Sequence, residues 1–290
     1  AGEGSETIFS TITYTLSANL ENLTLTGSAA INGTGNTDAN TIFGNEVANV
    51  LNGGAGNDTL YGLAGDDTIN GSTDNDIMVG GLGNDRYAVD STLDLVLEAA
   101  GQGTDTVFSS VTYTLLDEVE NLTLNGAAAV NATGNSGSNI ITGNSAANTL
   151  DGGAGIDVLN GAGGNDVLIY DAADSSVHGS VGEDALRLAG DTESIDLTTI
   201  ADSVITDVEV IQFAGAGANS ATLGLSDVLA ISSVTDALRI EGDALDSVTV
   251  IGGGWTQGGD AVIGANTYHV YANGTARLQV DVDVGVTFLP

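Results

Sequence analysis

Between Gly53 and Ala88 the chain can be cut every nine residues into GGAGNDTLY, GLAGDDTIN, GSTDNDIMV and GGLGNDRYA, and no other feature restricts its fold so severely. The sixth residue of each unit is aspartate (Asp58, Asp67, Asp76, Asp85) and the eighth is apolar (Leu60, Ile69, Met78, Tyr87). Six residues rich in Gly, Asn and Asp form a turn, because Gly visits positive φ freely and Asn and Asp side chains bond their own backbone. The three that follow, such as Thr59-Leu60-Tyr61, place one apolar residue between two outward ones, the period-two signature of a very short strand. One unit is therefore half a coil. Two units, eighteen residues, close one flattened turn of a parallel β-roll, which sets Asp58 against Asp76 and Asp67 against Asp85.

Carboxylates stacked at strand spacing, ~4.8 Å apart, repel one another unless a cation lies between them. Calcium meets that need: it takes roughly six to eight oxygen ligands in flexible geometry, and a glycine-rich turn offers carbonyls that no side chain screens. The candidate metal ligands are Gly53, Gly54, Gly56 and Asp58 in the first unit, and Gly62, Gly65 and Asp67 in the second. Gly71 and Asp76 follow in the third, then Gly80, Gly81, Gly83 and Asp85 in the fourth. Leu63, Ser72 and Asp74 stand where the pattern has glycine, and those turns are expected to bind more weakly.

Four Lys plus Arg against 39 Asp plus Glu give a formal charge of −35, so the chain repels itself without counterions. Such charge usually signals disorder, but 42% hydrophobic residues and a strict repeat argue for order that depends on a cation. No basic patch exists to meet nucleic acid, a bare anionic membrane is an equally poor partner, and no apolar run has the length of a transmembrane helix. The absence of cysteine fits a secreted bacterial protein held by metal in place of disulfides.

A longer repeat contains the short one. AGEGSETIFSTITYTL at 1–16 realigns with AGQGTDTVFSSVTYTL at 100–115, an offset of ninety-nine residues, and Glu21-Asn22-Leu23-Thr24-Leu25 recurs at Glu120 to Leu124. Because residue 1 looks like a module boundary, the chain is expected to be a piece of a longer polypeptide. Each module opens with a unit carrying an acid in the sixth place, Glu6 or Asp105, followed by alternating segments at 10–16 and 109–115 read as strands. Units from Gly35, Gly44, Gly134 and Gly143 keep the period but have Asn40, Asn49, Asn139 and Asn148 in sixth place. These are read as metal-free turns whose amides bond to the Asn stacked above. Calcium turns then resume with Gly152, Gly153, Gly155 and Asp157, and with Gly161, Gly164 and Asp166, while Asp94 and Asp184, which fall opposite Asp76 and Asp166, and Asp105 complete the candidate metal ligands.

The expected fold is thus all-β: a parallel β-roll in two modules of ninety-nine residues, 1–99 (roll about 35–97) and 100–187 (roll about 134–187), followed by a β-rich C-terminal cap over 188–290. Strands are predicted in the cap at 203–213, 237–241, 248–251, 267–272 and 276–282, with Trp255 as its core anchor.

The nonapeptides, linking segments and cap together resemble the C-terminal part of repeats-in-toxin (RTX) proteins exported by bacterial type I secretion, including adhesins and surface-layer proteins. The resemblance implies that the repeats stay unfolded at low cytosolic calcium and fold outside the cell, and that an export signal lies at the extreme C-terminus, where 281–290 has the acidic then apolar character. It implies calcium and the secretion machinery as partners.

Catalysis has little support: His178 and His269 are isolated and no H-E-x-x-H, G-x-S-x-G or cysteine nucleophile occurs. The leading reading is a calcium-binding structural protein of the bacterial exterior, acting by adhesion or self-assembly into a surface layer or filament. The alternative is the secretion and folding module of an enzyme (protease, lipase or glycosidase) whose catalytic domain lies upstream.

Overall fold

The parallel β-roll set by the nine-residue period is present, with coils paired eighteen residues apart. The computed structural model describes residues 4–232 and 236–290, so residues 1–3 of the opening unit lie outside the described residues. The chain divides into two compact units, Ala1–Ile141 with Gly153–Gly155, and Thr142–Gly152 with Ile156–Pro290.

In the first unit successive strands go alternately to opposite sheets. One sheet runs Thr7–Ser10, Asn22–Leu25, Thr41–Phe43, Thr59–Ala64, Ile77–Leu82, Leu95–Leu97, all parallel. The other includes Val50–Gly54, Thr68–Ser72, Arg86–Val89, Thr106–Ser109 and Asn121–Leu124. The inward eighth residues stack in register. Leu23, Ile42, Leu60, Met78 and Val96 form one column, and Leu51, Ile69, Tyr87, Val107 and Leu122 the other, all buried. Burying each such side chain contributes about 1.5–3 kcal/mol. These columns, not the polar turns, supply the core. Ninety-nine residues is eleven half-coils, an odd number, so Thr7–Ser10 and its repeat equivalent Thr106–Ser109 lie in opposite sheets.

The segments at 10–16 and 109–115 are not single strands. Ser10 and Ser109 each accept the N–H two residues on (3.2 Å) and donate to that residue's carbonyl (2.7 and 2.8 Å), bending the chain before short strands at Tyr14–Thr15 and Tyr113–Thr114.

In the second unit the parallel pairing outlasts the period of nine. Leu150, Leu168 and Leu186 stack eighteen residues apart, then Leu186 faces Ile211, Ile211 faces Ile240 and Ile240 faces Val280, offsets of 25, 29 and 40 residues. A second parallel sheet runs Ser194–Asp196, Ser220–Gly224, Ser247–Ile251, Gly285–Leu289. Residues 188–290 are β-rich as expected, but most of their strands extend the coil with longer turns; Thr256–Gln257, Ala261–Ile263 and Ala276–Asp281 each pair antiparallel with Asn266–Asn273. The predicted strand at 203–213 is two, Ile205–Thr206 and Val210–Phe213, split by Asp207 in the left-handed region (φ 52°). A short helix, Leu225–Ile231, was not anticipated. Trp255 is half-exposed and does not anchor this region; Tyr268, Leu278 and Val280 do, each buried.

Candidate calcium-binding turns

Each repeat aspartate is held at the start of its strand by the six-residue turn before it, which points the carboxylate back across the opening glycine of the same unit. A Cβ on Gly53 would collide with Asp58 Oδ2 and press on the carbonyl of Gly71, one coil further on. Glycine there is a requirement of close approach, and it brings a carboxylate oxygen and a backbone carbonyl side by side. The second and fourth places need another property, a left-handed backbone. They adopt it whatever the residue: φ is 108° at Gly54, 84° at Leu63 and 70° at Ser72, and 98° at Gly56 and 86° at Asp74. The glycine departures therefore keep the turn's shape.

The carboxylates form two ladders. Along one edge Asn40 N–H donates to Asp58 Oδ1 (2.7 Å), Asp58 N–H to Asp76 Oδ1 (2.8 Å) and Asp76 N–H to Asp94 Oδ1 (3.0 Å). Along the other, Asn49 N–H donates to Asp67 (2.6 Å), Asp67 to Asp85 (2.7 Å) and Asp85 to Asp105 (2.7 Å). In the second unit Asn148 N–H donates to Asp166 and Asp166 N–H to Asp184, both 2.8 Å. Asp157 lies in an equivalent turn with no exposed surface. The pairing at eighteen residues read from the sequence is thus a bond from backbone to carboxylate, not carboxylate facing carboxylate.

What each ladder leaves over is its other oxygen. Oδ2 of Asp58, Asp67, Asp76, Asp85, Asp166 and Asp184 is buried and accepts no hydrogen bond. Burial pushes the Asp58, Asp67 and Asp184 carboxyls up to about 7 and those of Asp76, Asp85, Asp105 and Asp166 up to about 6, while the N–H bond from the preceding coil opposes the shift only in part. A buried anionic oxygen without a donor is costly, and a hard cation is the partner that suits it.

Asp94 differs. Its Oδ2 accepts from the N–H groups of Asp90 and Ser91 (3.1 Å each), so both oxygens are bonded and the ladder closes there. The asparagines differ too, and not as expected. The amides of Asn40 and Asn49 do not bond to a stacked Asn. Asn40 Oδ1 accepts from Asn36 N–H (2.7 Å) and its Nδ2 donates to the Leu20 carbonyl (3.0 Å), and Asn49 repeats this with Asn45 (2.8 Å) and Ile31. The neutral amide, a donor as well as an acceptor, satisfies both ends from backbone.

Three glutamates that the sequence did not mark as site residues terminate ladders. Glu120 accepts from Asp105 N–H (2.7 Å), Glu209 from Asp184 N–H (3.0 Å) and Glu21 from Glu6 N–H (2.9 Å). The signal was present for two of them: Glu21 and Glu120 open the recurring Glu-Asn-Leu-Thr-Leu. The histidines stay apart in sequence and in bonding, His178 with Thr206 (2.7 Å) and His269 with Asp260 (2.9 Å).

Stacked coils whose glycine turns each carry one buried, unbonded carboxylate oxygen beside a backbone carbonyl define a calcium-binding β-roll. Residues 34–69, 52–87 and 133–168 match the family model of the RTX calcium-binding nonapeptide repeat (4 copies), so the chain carries RTX calcium-binding repeats in those stretches. The stretches 34–69 and 133–168 take in the Asn units and run into the Asp units, whereas 52–87 covers Asp units almost entirely. Such repeats bind Ca2+, are structural in role and are typical of secreted proteins. No curated protein matches the chain. Among the described residues, no helix is long and apolar enough to cross a membrane.

Proposed function

We propose that this chain is an extracellular bacterial structural segment whose coils close around calcium after type I secretion, and which acts at the cell surface by adhesion or self-assembly. The observation that carries the proposal is the unbonded Oδ2 repeated on Asp58, Asp67, Asp76, Asp85, Asp166 and Asp184. In this reading those carboxylates, with Asp105 and Asp157, hold the ions together with carbonyls of the turn glycines, and Asp94 closes its ladder without serving as a main ligand. Calcium supplies the positive charge that lets neighbouring carboxylates stay ionised when buried. Residues 188–290 serve as the cap, with the export signal in 281–290.

An exposed sheet edge supports assembly. Leu95–Leu97 pairs on one side only among the described residues, and Leu93, Leu95 and Leu97 are exposed. The test is to titrate the calcium-stripped chain while recording far-ultraviolet circular dichroism and imaging it by electron microscopy. Loss of the β signal in chelator and its return with calcium are expected, with ordered polymers appearing only in the calcium form. A β signal indifferent to chelator would refute calcium-dependent closure, and a calcium-loaded protein that stays dispersed would refute assembly.

A further inference from the structure

Where one ninety-nine-residue repeat passes into the next, the coil is longer than elsewhere: Arg86 faces Thr106, twenty residues on, against the eighteen that separate Thr68 from Arg86. The departure coincides with Glu98. It stands eighteen residues after Gly80, in the place where a unit-opening glycine would fall, and it lies outside the nonapeptide pattern. Its side chain enters the core. Oε1 accepts from the Gly80 N–H (3.2 Å) and from the Tyr87 hydroxyl, and Oε2 is buried without a partner.

One carboxylate oxygen from each of Asp85, Glu98 and Asp105 lies within 4.8 Å of the others. That is the span of ligands sharing one ion at about 2.4 Å from each. Asp85 and Asp105 are each 1% exposed, and Asp85 Oδ2 has no partner. A Cβ on Gly80 would strike both Asp85 Oδ2 and the Tyr87 hydroxyl, so the opening glycine clears the space in which these groups meet. The Gly80 N–H and the Tyr87 hydroxyl together hold Glu98 Oε1 and leave Oε2 to face a cation.

We propose that Asp85, Glu98 and Asp105 form a divalent-cation site at the seam between the repeats, taking calcium through a ligand, Glu98, that the nonapeptide pattern does not supply. The site rests on the calcium reading above but adds to it, since Glu98 belongs to no repeat unit. Three carboxylates give it the charge of a tight site. Tyr87 beside it makes it a distinct spectroscopic target, because an excited phenol transfers energy to a lanthanide bound close by.

The test uses the full chain with calcium and with terbium as a calcium substitute. Glu98→Gln keeps size and hydrogen bonding while removing the charge, and is expected to bind one calcium fewer than the unaltered chain and to lose terbium emission excited through tyrosine. Tyr87→Phe is expected to keep the ion count and lose that emission. Asp76→Asn, on the other edge, is expected to keep it. An unchanged ion count and emission in Glu98→Gln would overturn the seam site alone; failure of the unaltered chain to bind calcium would overturn the calcium reading as well. Should Glu98→Gln not fold, Tyr87→Phe decides, and emission unaffected by that change would overturn the site.

Discussion

At the scale of the residue, the two oxygens of one carboxylate have different fates. Oδ1 of Asp58 takes an N–H bond and Oδ2 takes none, and burial raises the group to about 7. Because the folded value lies above the ordinary carboxylate value near ~4, the ion-free coil holds protons that the unfolded chain has released. Its stability is therefore full in acid and is lost as pH rises from ~4 toward about 7, the value reached by Asp58, Asp67 and Asp184. Calcium must displace those protons, so its affinity rises through the same window and levels off above it. Half-saturation at pH 5.5 is expected to need at least about tenfold more calcium than at pH 7.5, read by calorimetry; exposed carboxylates would show no change in that interval. Leu63 supplies a second expectation. A leucine at φ 84° is strained, and Leu63→Gly is expected to stabilise the calcium-loaded fold by about 0.5–1 kcal/mol in denaturant titration.

At the scale of the element, one coil is two strands and two turns, and its two edges are separate ladders. Changing Asp58 and Asp76 together to Asn is expected to weaken calcium binding along that edge while the ladder of Asp67, Asp85 and Asp105 keeps its ions, seen as loss of only part of the bound calcium. Loss from both edges alike would contradict the separation. This organisation was readable before any coordinates, because a period of nine fixes strand, turn and partner together: Leu60 could face only Ile42 and Met78. Where the period fails, so does the reading. Leu186, Ile211, Ile240 and Val280 stack like the residues before them, but turns of unequal length separate them and leave no count to follow. Glu98 was hidden for a related reason, since a glycine position filled by glutamate looks like the end of the pattern and not a variation on it. The asparagine turns misled because the amide's donor was assumed to seek its neighbour, whereas the backbone carbonyl of the preceding coil was nearer.

At the scale of the molecule, the charge of −35 and the buried, unbonded oxygens act in the same direction: both oppose closure until cations arrive. Calcium removal is accordingly expected to unfold the roll as a whole, with dichroism and hydrodynamic radius changing together. Along the ladders of repeat aspartates every inter-coil bond to a carboxylate also runs one way, from the N–H of an earlier coil to the side chain of a later one, as from Asp58 to Asp76 and from Asp166 to Asp184. A coil added on the N-terminal side of a finished one finds its acceptor already in position, whereas a coil added on the C-terminal side must wait with its own amide unmet. The roll thus has a growing end, and within each unit it faces the N-terminus: closure that begins at Glu120 or Glu209 can travel toward the start of the chain like a zip drawn from its stop.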